Sequence, residues 1–203
     1  NYLPKLPVVS FLAQVKALFY ISALAPLLPF LLSLFRLQNK TQVYRIISWV
    51  VWWGLFIQAI SFSLWYFKQN NLYLTHLYVF VETGLLTGLY YHSFRNNRAA
   101  TWVLLIGGLA TLFVPINTLF FQSLTTFNTY AITVENSLLI VVSIYYYLYL
   151  LSGDKLEPLG SLPMFWANAA ILLYASGSIL IHLASNYLLP ESLYLQNSVW
   201  GIH

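Results

Sequence analysis

The sequence predicts an all-α protein, a bundle of seven transmembrane helices, on three observations. Charge is scarce: 7% of the 203 residues are charged and 60% are hydrophobic. A soluble domain carries about 25% charged residues, so too little charge is present to face water, and lipid is the alternative solvent. The apolar residues also fall in runs. A bilayer-spanning helix takes about 20 mostly apolar residues, and the chain offers six such runs and the beginning of a seventh. Finally, aromatic residues make up 18% of the chain, and Trp and Tyr anchor helices at membrane–water boundaries.

The first span is expected at 17–35. Lys5 and Lys16 precede it and "ALA" at 23–25 resembles a signal cleavage site. Pro26 directly after that site disfavours cleavage, and the apolar run continues to Phe35, so the segment reads as a retained span. Pro26 and Pro29 are expected to kink it in the middle, which membrane helices tolerate when neighbours satisfy the freed carbonyls. The second span is expected at 43–67. The third, at 74–91, holds the acid Glu82. The fourth, at 99–121, contains Gly107, Gly108 and Pro115. The fifth is expected at 128–151. The longest loop, 152–162, is marked by Gly and Pro breakers. The sixth span is expected at 163–189, and a seventh begins near Leu193 and runs to His203 and beyond. The chain starts without Met and ends inside an apolar run, and both ends are expected to be trimmed. No soluble domain or flexible linker is visible, so the whole chain reads as one transmembrane domain.

Lys and Arg set the expected orientation. Arg36, Lys40, Arg45, Arg95, Arg98 and Lys155 fall on one side of the threading, and Lys5, Lys16 and Lys68 on the other. Cytoplasmic loops carry the excess, which is expected to place the N-terminus outside and the C-terminus in the cytoplasm. Scattered at the ends of runs, these residues form no nucleic-acid patch. The absence of cysteine excludes disulfide and thiolate chemistry.

"VETGLLTGLYY" from Val81 echoes "VENSLLIVVSIYYY" from Val134: Val-Glu, then Leu-Leu, then paired Tyr, two helices apart. Duplication of a helical hairpin and chance in a Leu- and Tyr-rich chain both explain it. Within the first copy, Gly84 and Gly88 place small residues at i and i+4, which favours close helix packing beside Glu82.

Five acidic residues are present. Asp154, Glu157 and Glu191 fall in loops, whereas Glu82 and Glu135 fall inside apolar runs. A charge at the bilayer centre costs about 2.5–3.5 kcal/mol, and such residues face the bundle interior, pair, or mark a site. His76 and His182 fall in the same outer half of the bundle. Along the sixth span, Asn168, Ala175, Ser178, His182 and Ser185 recur on one helical face of small and polar residues, a pattern suited to an inward-facing stripe. The candidate ligand- or proton-binding set is therefore Glu82, Glu135, His182, His76, Asn168 and Ser178, with Gln58 and Asn136 as further polar candidates. The bland alternative for each is a hydrogen-bonded tie between helices. Two imidazoles and two carboxylates suit zinc or iron, but no local ligand spacing supports a metal, and no cofactor is indicated. Phosphate-loop, zinc-protease and nucleophile-elbow motifs are absent, so no catalytic residue is assigned.

The stretches "HLYVFVETGLLTGLYYHSF", "FNTYAITVENSLLIVVSIYYYLYLL" and "PMFWANAAILLYASGSILIHL" resemble a family of uncharacterised bacterial multi-pass membrane proteins of about this length. The resemblance rests on Glu82, the Tyr pairs, Glu135 and the Pro-x-Phe-Trp opening at 163–166. It implies a seventh helix past His203 and, because such genes accompany sensor kinases, a signalling role by association. It implies no catalytic residues. The leading expectation is a seven-helix sensory module embedded in the lipid bilayer, with an outward-facing polar pocket for a small ligand or proton and a cytoplasmic signalling partner. A small proton-coupled transporter, an accessory subunit of a membrane complex and a metal-dependent intramembrane hydrolase are the alternatives, the last weakened because His182 and His203 are expected far apart.

Overall fold

The computed structural model describes residues 24–36, 41–94, 97–152 and 158–188, with the side chains of 35, 36 and 182–188 excepted. Six helices and a short 3-10 turn at Leu159–Ser161 make up this region, and it contains no strand. We number the helices α1 (Leu27–Arg36), α2 (Gln42–Tyr66), α3 (Tyr73–Ser93), α4 (Ala99–Phe120), α5 (Thr129–Leu151) and α6 (Pro163–Leu188). The expected seventh helix at 193–203 lies outside the described residues, as does most of the N-terminal half of the first expected span.

Four of these helices are long and apolar enough to cross a membrane: α2, α4, α5 and α6 through Ile181. They carry broad exposed apolar faces. On α4, Leu104, Leu105, Ile106, Leu109, Leu112 and Ile116 all point outward, the arrangement expected of side chains that meet acyl chains. This is the pattern of a multi-pass membrane protein. Helix α3 has the opposite character. It buries nine residues, against two for α2, and those nine include His76, Glu82, Thr83 and Thr87. Its polar content belongs to the interior, because α3 packs against α2, α4 and α5 together.

Cross-helix contacts fix the threading. Trp53 Nε1 donates to the Tyr78 carbonyl at 3.4 Å and Asn71 Nδ2 to Ser61 Oγ at 2.7 Å, so α2 and α3 run antiparallel. His76 meets Thr118, and Thr87 meets Gly107, which sets α3 antiparallel to α4. Asn136 Nδ2 donates to Ser178 Oγ at 3.0 Å and Asn168 Nδ2 to the Ser143 carbonyl at 3.1 Å, which sets α5 antiparallel to α6. Helices α3 and α5 are then parallel neighbours, joined by Thr83–Glu135 and Tyr90–Ser143, separations of 52 and 53 residues. That register matches the spacing of the sequence echo.

Helix ends follow local chemistry. Lys68 closes α2 in the left-handed region at φ 56°, with Lys68 N bonded to the Trp65 carbonyl at 2.9 Å and Gln69 N to that of Leu64 at 2.8 Å. This is the Schellman arrangement, in which a left-handed residue lets the last carbonyls find donors. Helix α6 opens on Pro163, whose missing N–H costs nothing in a first turn. At the expected site of the kink, Pro26 and Pro29, the helix is interrupted by a turn. Leu24 is helical, Ala25 and Pro26 form a turn, and the helix resumes at Leu27 with Pro29 in its first turns. Pro29 has no N–H to offer the Ala25 carbonyl, which accepts from Leu28 N at 3.4 Å instead.

The main core gathers Leu89, Tyr90, Phe94, Tyr146 and Leu150 near the loop between α3 and α4. Phe94 meets Tyr145, Tyr146 and Tyr149 at ring separations of 5.3–5.5 Å, within the range of favourable aromatic pairing. A smaller cluster of Val79, Val114 and Ala131 closes the other half. The expected tight contact through Gly84 and Gly88 falls elsewhere. Gly84 is exposed and Gly88 has open space where a Cβ would stand. The close approach is made by Gly107 of α4, whose missing Cβ would collide with the Thr87 side chain.

Candidate functional site

A cavity of about 650 Å³ is walled by α1, α2, α3, α5 and α6. Its polar lining includes Gln58, Tyr78, Glu82, Glu135, Tyr174 and Ser178, set among apolar residues such as Val50, Ile57 and Ile132. Helical spacing explains the convergence. Tyr78 and Glu82 stand four residues apart on α3, and Tyr174 and Ser178 four apart on α6, so each pair shares a face. Glu135 joins them because α5 runs parallel to α3 in the register described above.

Both carboxylates are buried, Glu82 at 5% exposed and Glu135 at 4%. Tyr78 Oη donates to Glu82 Oε1 at 2.7 Å. Thr83 Oγ1 stands 2.9 Å from Glu135 Oε1 and 2.7 Å from the Val79 carbonyl. Among the described residues neither acid has an ion pair, and the second carboxylate oxygen of each accepts no hydrogen bond. Behind the wall, Asn136 donates to Ser178 while its own Oδ1, fully buried, accepts nothing. The cavity is rich in acceptors, and among the described residues no Lys, Arg or His lines it.

The other expected residues lie elsewhere. His76 does not line the cavity. Its Nδ1 is 2.8 Å from Thr118 Oγ1 and its Nε2 3.1 Å from the Thr126 carbonyl, which can only accept, so Nε2 carries the proton. His76 thus latches α3 to α4 and to the loop before α5. Asn168 sits at the opposite layer. Tyr90 Oη donates to Asn168 Oδ1 at 2.7 Å and accepts from Ser143 Oγ at 2.7 Å. All three are essentially inaccessible, which makes this a satisfied tie between α3, α5 and α6. The His182 side chain lies outside the described residues. No group of three or more His, Cys, Asp or Glu side chains is assembled among the described residues, so the metal alternative finds two carboxylates and no third ligand there.

Tyr78, Thr83 and Tyr174 are the site residues that sequence reasoning passes over. The signal for Tyr78 is its i, i+4 relation to Glu82. A buried Asn117–Asn128–Gln122 cluster at the start of α5 is also new: Asn117 Nδ2 donates to Asn128 Oδ1 at 2.7 Å and to Gln122 Oε1 at 2.9 Å.

Fold and site together define a class: a multi-pass helical bundle of membrane type that encloses an acidic, aromatic-lined cavity. No protein-family model, curated protein or solved structure matches the chain.

Proposed function

We propose that the protein is a sensory module of a bacterial cytoplasmic membrane, with seven helices, the N-terminus outside, and a cavity that receives a small ligand from the outer side. The observation that carries this reading is the cavity itself, in which Glu82 and Glu135, brought in by two parallel helices, face one space instead of the apolar shell. Buried acids cost too much to keep unless they are satisfied or used, and each keeps an unoccupied oxygen. A concave, mostly apolar space with a few convergent polar groups is the usual form of a ligand site.

Ligand entry would bias helix packing because five helices meet at the cavity wall. A ligand shifts such an equilibrium only by its differential affinity for the two arrangements. Helix α1 is the natural moving wall. Among the described residues it packs mainly on α2, through Phe30 and Trp52 rings 5.7 Å apart and a Trp52 Nε1–Ser33 Oγ bond of 3.0 Å. The altered packing would pass to a cytoplasmic partner.

The chain has no cysteine, so single reporters are clean. Gln58→Cys is expected to react with a charged, water-soluble thiosulfonate added from outside, and Leu109→Cys, on the lipid face, is not. A Gln58→Cys protein that stays unmodified while folded would overturn the reading. A second reading, a small proton-coupled transporter, draws on the turn at Pro26 beside the cavity, since interrupted helices frame transport sites. Proteoliposome flux of protons above that of Glu82→Gln would favour it.

A further inference from the structure

The cavity's chemistry points to a class of ligand. Among the described residues, every ionisable side chain in the lining is an acid or a phenol, and none there can balance an anion. The free oxygens of Glu82 and Glu135 ask for a donor, and so does the buried Oδ1 of Asn136 behind Ser178. The rings of Tyr78, Tyr174 and Phe127 lie in the same wall, and aromatic faces attract cations that have left water.

The geometry shows how little each acid is given. Thr83 Oγ1 divides its one proton between the Val79 carbonyl and Glu135 Oε1, and Glu82 accepts a single hydrogen bond from Tyr78. Both carboxyls face one space, so one cation placed between them supplies a charge-assisted donor to each. A bare inorganic cation would leave most of a 650 Å³ space unused.

We propose that the cavity binds a small organic monoammonium ion with an apolar body, the nitrogen at Glu82 and Glu135 and the body against Tyr78, Tyr174 and the apolar wall. This rests on the reading of the cavity as a ligand site open to water. Among the described residues a metal ion finds too few ligands there, and an anionic molecule leaves the acids unpaired.

The test uses the full chain in lipid nanodiscs carrying Gln58→Cys, with protection from thiosulfonate as the readout. The probes are phenethylammonium, 2-phenylethanol and 3-phenylpropionate, alike in shape and different in charge. Phenethylammonium is expected to slow modification and the other two are not. Glu82→Gln, which preserves volume and the Tyr78 contact, is expected to weaken protection about tenfold to a hundredfold, the worth of a charge-assisted hydrogen bond. Tyr174→Leu should weaken it less. Modification of the cysteine with no protection by phenethylammonium, or equal protection by 2-phenylethanol, overturns the ligand class while the water-filled cavity stands. Protection that survives Glu82→Gln and Glu135→Gln together also overturns it. An unmodified cysteine in folded protein removes the cavity reading and this inference with it.

Discussion

Gly107 is where α4 comes closest to α3, with its Cα against the Thr87 side chain. In lipid, where no hydrophobic force drives helices together, such close contacts carry much of the association. Gly107→Ala is expected to force the pair apart and to cost about 1–3 kcal/mol, the usual penalty for overpacking. Thermal unfolding in detergent should show the loss, with partial recovery when Thr87→Gly is added. At the other layer, Tyr90→Phe removes the donor to Asn168 and leaves its buried Oδ1 bare. A cost of about 1–3 kcal/mol is expected for an orphaned buried acceptor, with secondary structure unchanged by circular dichroism. A Tyr90→Phe protein as stable as the parent would show that the tie is idle. Sequence reading finds Glu82 and Glu135 because a carboxylate in an apolar run is conspicuous. It passes over Tyr78 and Tyr174 because a chain with 16 tyrosines offers boundary anchoring as a ready explanation for each. Asn168 looks like a site residue because it falls on the small and polar stripe of the sixth span, and only its contacts with Tyr90 and Ser143 show that its needs are met.

Helices α2 to α6 fall on the apolar runs that predict them, because length and hydropathy are properties of a segment alone. The rank of each helix within the bundle is not. Helix α3 reads as one more span, yet it is the interior one, and the trace of this in the sequence is its burden of His, Glu and Thr. The prolines show the same limit: the residue type predicts a disturbance, and whether that is a kink or a break depends on what the neighbours supply. At the end of α2, Lys68 holds a left-handed conformation that costs a side-chain-bearing residue roughly 1–2 kcal/mol. Lys68→Gly is therefore expected to stabilise the folded protein by about 1 kcal/mol, and Lys68→Val to destabilise it. A fall in the unfolding midpoint of Lys68→Gly would contradict the assignment of that helix end.

For the molecule as a whole, the antiparallel contacts put the α2–α3 and α4–α5 loops at one end and the α3–α4 and α5–α6 loops at the other. Basic residues of the sequence gather at the second end, and the proposed threading, following the positive-inside rule, puts that end in the cytoplasm. Ser123→Cys should then react with an impermeant maleimide on intact cells, and Arg98→Cys only after the membrane is opened. The reverse pattern would invert the threading and turn the cavity toward the cytoplasm.

The break at Ala25 and Pro26 lies on the cavity wall, and that position has a consequence. Pro26 and Pro29 bring no N–H to the rim of the hollow, and the turn is held there by the Leu28–Ala25 and Phe30–Pro26 bonds at 3.4 and 3.2 Å. Plugging the hollow with bulky side chains should therefore press on this thinly tied stretch of backbone as well as shut out any guest.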